Sequence, residues 1–324
     1  MKTVCVITGV AGFVGSHLAE ALLALNHRVI GVDNFFSGHR ANMFSFERHP
    51  NFSFHECSVE EPGLLGRIIG PSKPLQACFH LAAIVSVPYS VEHEAETMRV
   101  NWEATVRLLA EAEELGCSRF VFAGSAAEYG EDDRLPLRES YITSETRHAS
   151  PYGRAKHLSS QRVASSPIGV ALRCFNIYGP RQDPKSPYSG VISRFIDFAL
   201  AGEPLSIFGD GRQTRDFIYV DDVVTAYLAA AGLGPYAAPL PPGVYNVGTG
   251  VSTSILDLAD AVRDLTESVL EHRFLPERAG DIRHSLASIE AIRKASSWRP
   301  RVDLREGLRR TVGHLGLELR KSGI

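Results

Sequence analysis

The sequence predicts an α/β fold built on a doubly wound parallel sheet, followed by a smaller mixed α/β lobe. Three observations lead there. Apolar strand-like runs alternate with helical patterns through the first 175 residues, the pattern of a parallel sheet covered by helices on both faces. Glycines at 9, 12 and 15 follow the first run and open a helix. An acid, Asp33, closes the second run at the spacing expected of a ribose contact.

Residues 4–8 are apolar and form the first strand. Gly9, Gly12 and Gly15 then let the backbone turn tightly and approach a pyrophosphate. The helix from about 13 to 25 starts with Phe13 and Val14, so its positive N-terminus points at the same place. The next strand covers 28–32 and ends at Asp33 and Asn34. A carboxylate there holds a ribose hydroxyl and repels a 2′-phosphate, which favours NAD over NADP. Strand, glycines, helix, strand and acid in this order predict a Rossmann-type sheet.

Further strands are expected at 52–58, 77–81, 119–124 and 169–175, with helices near 94–115 and 151–166. Leu81, Ala82 and Ala83 end one strand in small residues that suit close approach of a cofactor. Ser125 ends another and lies at the carboxyl edge, where ligands bind in such sheets. From 176 the pattern loosens, and Pro180, Pro184 and Pro187 mark a long loop. Helices at 220–231, 254–266 and 303–321 follow. The expected organisation is a cofactor domain over 1–175, to which the chain returns around 216–234, and a substrate lobe over 176–324.

Composition narrows the function. Hydrophobic residues make up 44% and charged residues 22% of the 324, as in ordinary soluble proteins. A net charge of -3 with no long basic run argues against nucleic acid and anionic membranes. No apolar run approaches the ~20 residues of a membrane span. The five cysteines, Cys5, Cys57, Cys78, Cys117 and Cys174, include no Cys-x-x-Cys pair. They read as reduced core residues of a cytoplasmic protein without a metal site.

The chemistry is placed at Tyr152 and Lys156, one helical turn apart on one face. An ammonium there is expected to lower the pKa of the tyrosine, whose phenolate then serves as a base toward an alcohol.

Taken together, Thr8-Gly9-x-x-Gly12-Phe13-x-Gly15, Ser125 and Tyr152-x-x-x-Lys156 resemble the extended short-chain dehydrogenase/reductases that act on nucleotide sugars. The likeness covers nearly the whole chain, including Leu172-Arg173-Cys174-Phe175-Asn176, Arg215-Asp216-Phe217 and Arg278-Ala279-Gly280-Asp281. Within them it is most similar to the NAD-dependent UDP-hexose 4-epimerases. The resemblance implies a permanently bound NAD⁺ and a 4-keto intermediate, with Tyr152 as base, Lys156 on the nicotinamide ribose and Ser125 on the reacting oxygen. It implies that Ser37, Gly38, Ser58, Val59 and Asn101 also lie around the cofactor. For the UDP-sugar it implies Ser86 and Asn176, a diphosphate clamp of Arg215 and Arg278, a ribose contact at Asp281, and Val191, Ser206 and Phe208 around the uracil. Relatives commonly form homodimers through the helices near 94–115 and 151–166.

Rival reactions separate at a few positions. The nucleotide-sugar 4,6-dehydratases carry Thr-Asp-Glu where this chain has Ser125-Ala126-Ala127, with Glu128 one position late, so dehydration is disfavoured. The UDP-glucuronate 4-epimerases and decarboxylases share the Tyr/Lys/Ser set and stay open, as does a non-catalytic NAD-binding regulator. Position 285 matches a gate that is tyrosine in relatives restricted to glucose and galactose; Ser285 leaves room for a 2-acetamido group. With Arg181-Gln182-Asp183-Pro184 and the segment from Ser186 to Ile192, this resembles the UDP-N-acetylglucosamine 4-epimerase subgroup. Two positions depart from the common pattern: Cys57-Ser58-Val59 replaces an acid at the adenine end, and Cys174 stands where many epimerases have tyrosine.

Overall fold

The computed structural model describes residues 3–70, 74–184, 190–236, 238–269, 271–277 and 282–321. Six strands open the chain: β1 (Val4–Thr8), β2 (Arg28–Asp33), β3 (Phe52–Glu56), β4 (Leu75–His80), β5 (Arg119–Ser125) and β6 (Gly169–Cys174). Between them run α1 (Phe13–Ala24), α2 (Leu64–Ile69), α3 (Val87–Glu92), α4 (Glu94–Met98), α5 (Ala104–Glu114) and α6 (Pro151–Ala164). After β7 (Asn176–Tyr178) come α7 (Val191–Leu200), β8 (Ser206–Phe208), β9 (Thr214–Arg215), β10 (Phe217–Tyr219) and α8 (Val220–Ala231). The chain continues through β11 (Gly243–Val247), β12 (Thr253–Ser254), α9 (Ile255–Leu265), β13 (Arg273–Leu275), α10 (Glu290–Ala295) and α11 (Leu304–Lys321).

The main sheet has seven parallel strands in the order β11-β6-β5-β4-β1-β2-β3. Alternate residues along each strand face opposite core layers. Cys5, Ile7, Val29, Phe79, Val121 and Leu172 meet the Leu18 and Leu22 face of α1 on one side. Val4, Val6, Ile30, Cys78, Phe120 and Phe122 meet Leu108 and Leu109 of α5 on the other. Burial on both faces is why these strands read as nearly continuous apolar runs. Strand order reverses between β1 and β4, which opens a crevice at their carboxyl ends.

The sheet draws on the chain beyond residue 175. Its last strand is β11, outside the 216–234 stretch, while α8 within that stretch packs against α1 and β5. The C-terminal part holds three two-stranded ladders, β7 with β10, β8 with β13 and β9 with β12, beside α7, α9 and α11. Strands of two or three residues carry no readable period, which is why the sequence left this part undivided.

The helix expected over 94–115 is interrupted by a π-helical turn, Arg99–Glu103. The wider turn lets the Asn101 carbonyl accept two side-chain hydrogen bonds, from Thr105 Oγ1 and from Ser159 Oγ of α6, both at 2.8 Å. The five cysteines are free thiols, four of them buried. Among the described residues no three His, Cys, Asp or Glu side chains converge as metal ligands, and no helix is long and apolar enough to cross a membrane.

Candidate active site

A cleft of about 370 Å³ lies over the crevice between β1 and β4. Gly9 takes φ of 75° there, and a Cβ on it would stand 2.8 Å from the Ala82 amide nitrogen. A Cβ on Gly15 would fall 2.1 Å from the Gly9 carbonyl oxygen. The glycines therefore bring the β1–α1 turn flush against the β4 loop. Gly12 stands as N-cap, so the first turn of α1, Phe13-Val14-Gly15, opens on the cleft.

Asp33 ends β2 on the same cleft. Its Oδ2 accepts the Ala11 N–H at 2.9 Å and its Oδ1 the Phe35 N–H at 2.8 Å. Burial pushes this carboxyl above its ordinary pKa, and the amide hydrogen bonds pull the other way. Asn34, Ser37, Gly38, Ser58, Val59, Leu81, Ala82 and Ala83 complete the wall. Space that any Cβ would fill, a helix N-terminus and an oriented carboxylate suit the pyrophosphate and adenine ribose of a dinucleotide.

Two expected cofactor or substrate contacts lie elsewhere. Asn101 does not line the cleft. Its Nδ2 donates to the Ile84 carbonyl and its Oδ1 accepts the Ile84 N–H, both at 2.8 Å, so it holds the β4–α3 loop from behind. Ser86, expected beside the sugar, is the N-cap of α3, where its Oγ accepts the Tyr89 N–H at 3.0 Å.

Tyr152 and Lys156 enter from α6. Ser150 caps that helix through its Oγ, and Pro151 fits the first turn because it has no N–H to leave unpaired. The Tyr152 N–H donates to Ser90 Oγ at 3.2 Å, which ties the first turn to α3. Lys156 Nζ donates to the Ala123 carbonyl at 2.8 Å and lies 5.9 Å from the Tyr152 ring centre.

The expected lowering of the tyrosine pKa by this lysine is not found. Burial pushes the Tyr152 hydroxyl up to about 12, and the hydrogen bond with Ser125 works in the opposite direction. Burial also draws Lys156 down to about 8, against the pull of the Glu128 carboxylate. An ammonium engaged with a carbonyl, and itself costly to keep charged, gives the phenolate little support.

Two further pockets continue from the cleft. One, of about 270 Å³, is lined by Ser125, Ala126, Ala127, Asp132, Cys174, Asn176, Arg215, His284 and Ser285 among others. The other, of about 300 Å³, takes in Asn176, Val191, Ser206, Phe208, Gln213 and Arg215. Cys174 is shared by the cleft and the first pocket, and Asn176 and Arg215 are shared by the two pockets. The three form one run of space with Ser125 near its middle. Arg278 and Asp281 lie outside the described residues.

This second region is held by buried polar hubs. Asp216 Oδ1 accepts from Thr249 N–H and Oγ1, and its Oδ2 from the Gly250 and Ala287 N–H groups. Asn246 accepts from Tyr129 Oη at 2.7 Å and donates to the Leu137 and Ser288 carbonyls. Glu128, the acid one position late, turns away from the pockets. It is fully buried and bonded to Arg173 Nε at 2.5 Å.

The sequence reading missed Tyr227, which reaches the cleft from α8 and hydrogen-bonds Cys174. It also missed Asp132 in the Ser125 pocket. Tyr227 gave no signal, because an aromatic on the buried face of a helix reads as core. Asp132 lies in a loop with no period at all.

The model of the NAD dependent epimerase/dehydratase family matches residues 5–248. Among curated proteins, the UDP-glucose 4-epimerase of Mycolicibacterium smegmatis is 37% identical over 94% of this chain and 96% of its own. Among solved structures, the Thermotoga maritima UDP-glucose 4-epimerase with UDP-glucose superposes with a TM-score of 0.87 at 34% identity, covering 98% of this chain and 100% of that one. The Methanobrevibacter ruminantium UDP-N-acetylglucosamine 4-epimerase, in complex with UDP-N-acetylmuramic acid, superposes with a TM-score of 0.88 at 36% identity and the same coverage. With the glycine turn, Asp33 and the Tyr152–Lys156 pair in one cleft, these matches place the chain in the NAD dependent epimerase/dehydratase family, with NAD as its cofactor.

Proposed function

We propose that the protein interconverts the C4 epimers of a UDP-hexose, and that UDP-N-acetylglucosamine and UDP-N-acetylgalactosamine are its preferred pair. The observation that carries this reading is the position of Ser125. It lines the pocket next to the cofactor cleft, close enough to Tyr152 to pull that hydroxyl's pKa down, while the neighbouring wall positions are Ala126 and Ala127. One base and one hydroxyl suit reversible removal of a proton from an alcohol, and the two positions after Ser125 supply no acid for elimination of water.

NAD⁺, when bound, supplies a hydride acceptor and a positive charge. Tyr152 takes the proton from the sugar's 4-hydroxyl and Ser125 hydrogen-bonds the same oxygen. Lys156 holds the nicotinamide side of the cleft, and Arg215 and Asn176 hold the diphosphate end. The 4-keto sugar turns within the pocket before the proton returns from Tyr152. Because the Tyr152 hydroxyl stands at about 12 without cofactor, the field of the bound cation is part of what makes it a base at neutral pH.

The sugar class follows from the pocket wall. Ser285 is small and buried there, which leaves space for a 2-acetamido group. A homodimer through α5 and α6 belongs to this reading, supported by Val106 and Leu158, which stay half-buried on those helices.

The test is incubation of the purified protein with UDP-GlcNAc, UDP-Glc and UDP-GlcA separately, with products identified by NMR. We expect C4 inversion without added NAD⁺, the highest kcat/KM on UDP-GlcNAc, and loss of turnover in Tyr152→Phe. A clear preference for the unacetylated pair would sink the argument from Ser285.

A further inference from the structure

Directly behind the candidate catalytic residues lies a charge that the proposed reaction does not use. Glu128 follows Ser125 by three residues and is fully buried. Its Oε1 accepts the Ser125 N–H at 2.9 Å and the Ser160 hydroxyl of α6 at 2.8 Å. Its Oε2 accepts Arg173 Nε–H at 2.5 Å, and Arg173, on β6, is buried as well. The backbone makes room for this carboxylate: a Cβ on Gly124 would stand 2.7 Å from Oε1.

One carboxylate thus joins the end of β5, the turn after it, β6 and the helix that carries Tyr152 and Lys156. It also constrains the serine hydroxyl. Ser125 Oγ accepts the Ala127 N–H at 3.2 Å, closing a reciprocal capping box with Glu128. That bond fixes the serine side chain beside Tyr152.

A buried ion pair is a poor device for stability alone, since an apolar pair of similar volume commonly does as well. We propose that Glu128 is a positioning residue for the reaction: anchored on Arg173, it fixes the Ser125 backbone against α6 so that the serine hydroxyl meets the reacting oxygen. The proposal rests on the epimerase reading above.

A second consequence concerns Lys156. The groups facing it are Tyr152 on its own helix, Glu128 after β5, Cys174 at the end of β6 and His80 on β4. Glu128 alone among these favours the ammonium by its negative charge at neutral pH. Removing that charge therefore moves the alkaline limb of the kcat–pH profile to lower pH.

Two variants test the proposal. Glu128→Gln removes the charge. Glu128→Met combined with Arg173→Met removes the carboxylate without leaving Arg173 buried and unpaired. Each is expected to keep its NAD content and its KM for UDP-GlcNAc, to lose about tenfold or more in kcat, and to show the shifted alkaline limb. A double variant that folds with wild-type kcat and an unshifted profile overturns the proposal, and it decides the matter if Glu128→Gln does not fold. Wild-type protein inactive on all three UDP-sugars in the same assay would overturn the epimerase reading instead.

Discussion

The cofactor cleft and the substrate pockets meet at Cys174, yet they are built in different ways. The cleft comes from consecutive strand ends, and most of its contacts to a dinucleotide are offered by backbone and by one carboxylate, Asp33. The pockets come from separated segments, 125–137, 174–178, 190–217 and 282–285, held in place by Asp216 and Asn246 from beneath. The first region depends on close approach of main chains. The second depends on buried hydrogen bonds between residues far apart in sequence, so the two should fail differently when disturbed.

Gly15→Ala should disturb the cleft most. Its Cβ would land 2.1 Å from the Gly9 carbonyl, so the turn must open, and a misplacement near 1 Å costs about a hundredfold in rate. We expect protein purified without NAD and with turnover reduced at least that far, while nucleotide binding measured by calorimetry with UDP persists. Full NAD content in this variant would show that the close approach is not needed.

Asp216→Asn should disturb the pockets instead. An amide NH₂ would face N–H donors on one side of the hub, losing about two of its four hydrogen bonds. The expected cost is about 2–4 kcal/mol in unfolding free energy, with KM for the sugar nucleotide raised and NAD content unchanged. Parallel loss of both ligands would merge the two regions into one unit.

The smallest effect lies at the junction. Lys156 titrates near 8 in the fold against an ordinary value of 10.5. Below pH 8 it is charged in both states and the folded protein bears the full burial cost. That cost is relieved as pH rises from about 8 toward 10.5, so the contribution of Lys156 to stability increases over that interval. Tyr152 acts in the reverse sense above pH 10, where the unfolded chain ionises first. From about pH 9 the thiols of Cys5, Cys78, Cys117 and Cys174, all raised by burial from the ordinary value of 9.0, also act in that reverse sense. Denaturant midpoints of cofactor-free Lys156→Met should therefore fall more steeply between pH 8 and 10 than those of the wild type; an identical pH dependence in the two would show that Lys156 does not bear this cost.

The same division explains what could be read from the chain. Gly9, Gly12, Gly15 and Asp33 act within a stretch of some two dozen residues, and Tyr152 and Lys156 within one turn of helix. Their spacing is the geometry. The hubs join residues far apart, as Tyr129 and Asn246, 117 positions apart, or Glu128 and Arg173, 45 apart, and no local pattern announces such a pairing. The Ser125-x-x-Glu128 spacing was a readable capping box, but its link to Arg173 was not. Asn101 and Ser86 were assigned by family likeness to ligands, whereas their hydrogen bonds go to backbone. The error over the tyrosine's pKa has the same root: spacing shows that an ammonium is near, while burial and the carbonyl of Ala123 decide what it does.

The π-helical turn at Arg99–Glu103 marks a place within a helix where chain length can change. Each residue advances a helix by about 100°, and the wider turn absorbs the equivalent of one surplus residue. Deleting one position there would restore an ordinary helix and keep Leu108 and Leu109 of α5 facing the sheet, whereas a deletion within α5 would rotate them away. The cost would be local, at the Asn101 carbonyl, whose hydrogen bonds from Thr105 and Ser159 tie this turn to α6. Single-residue deletions among homologues should therefore be tolerated at this turn and at exposed loop positions such as 143–145, and avoided within α5.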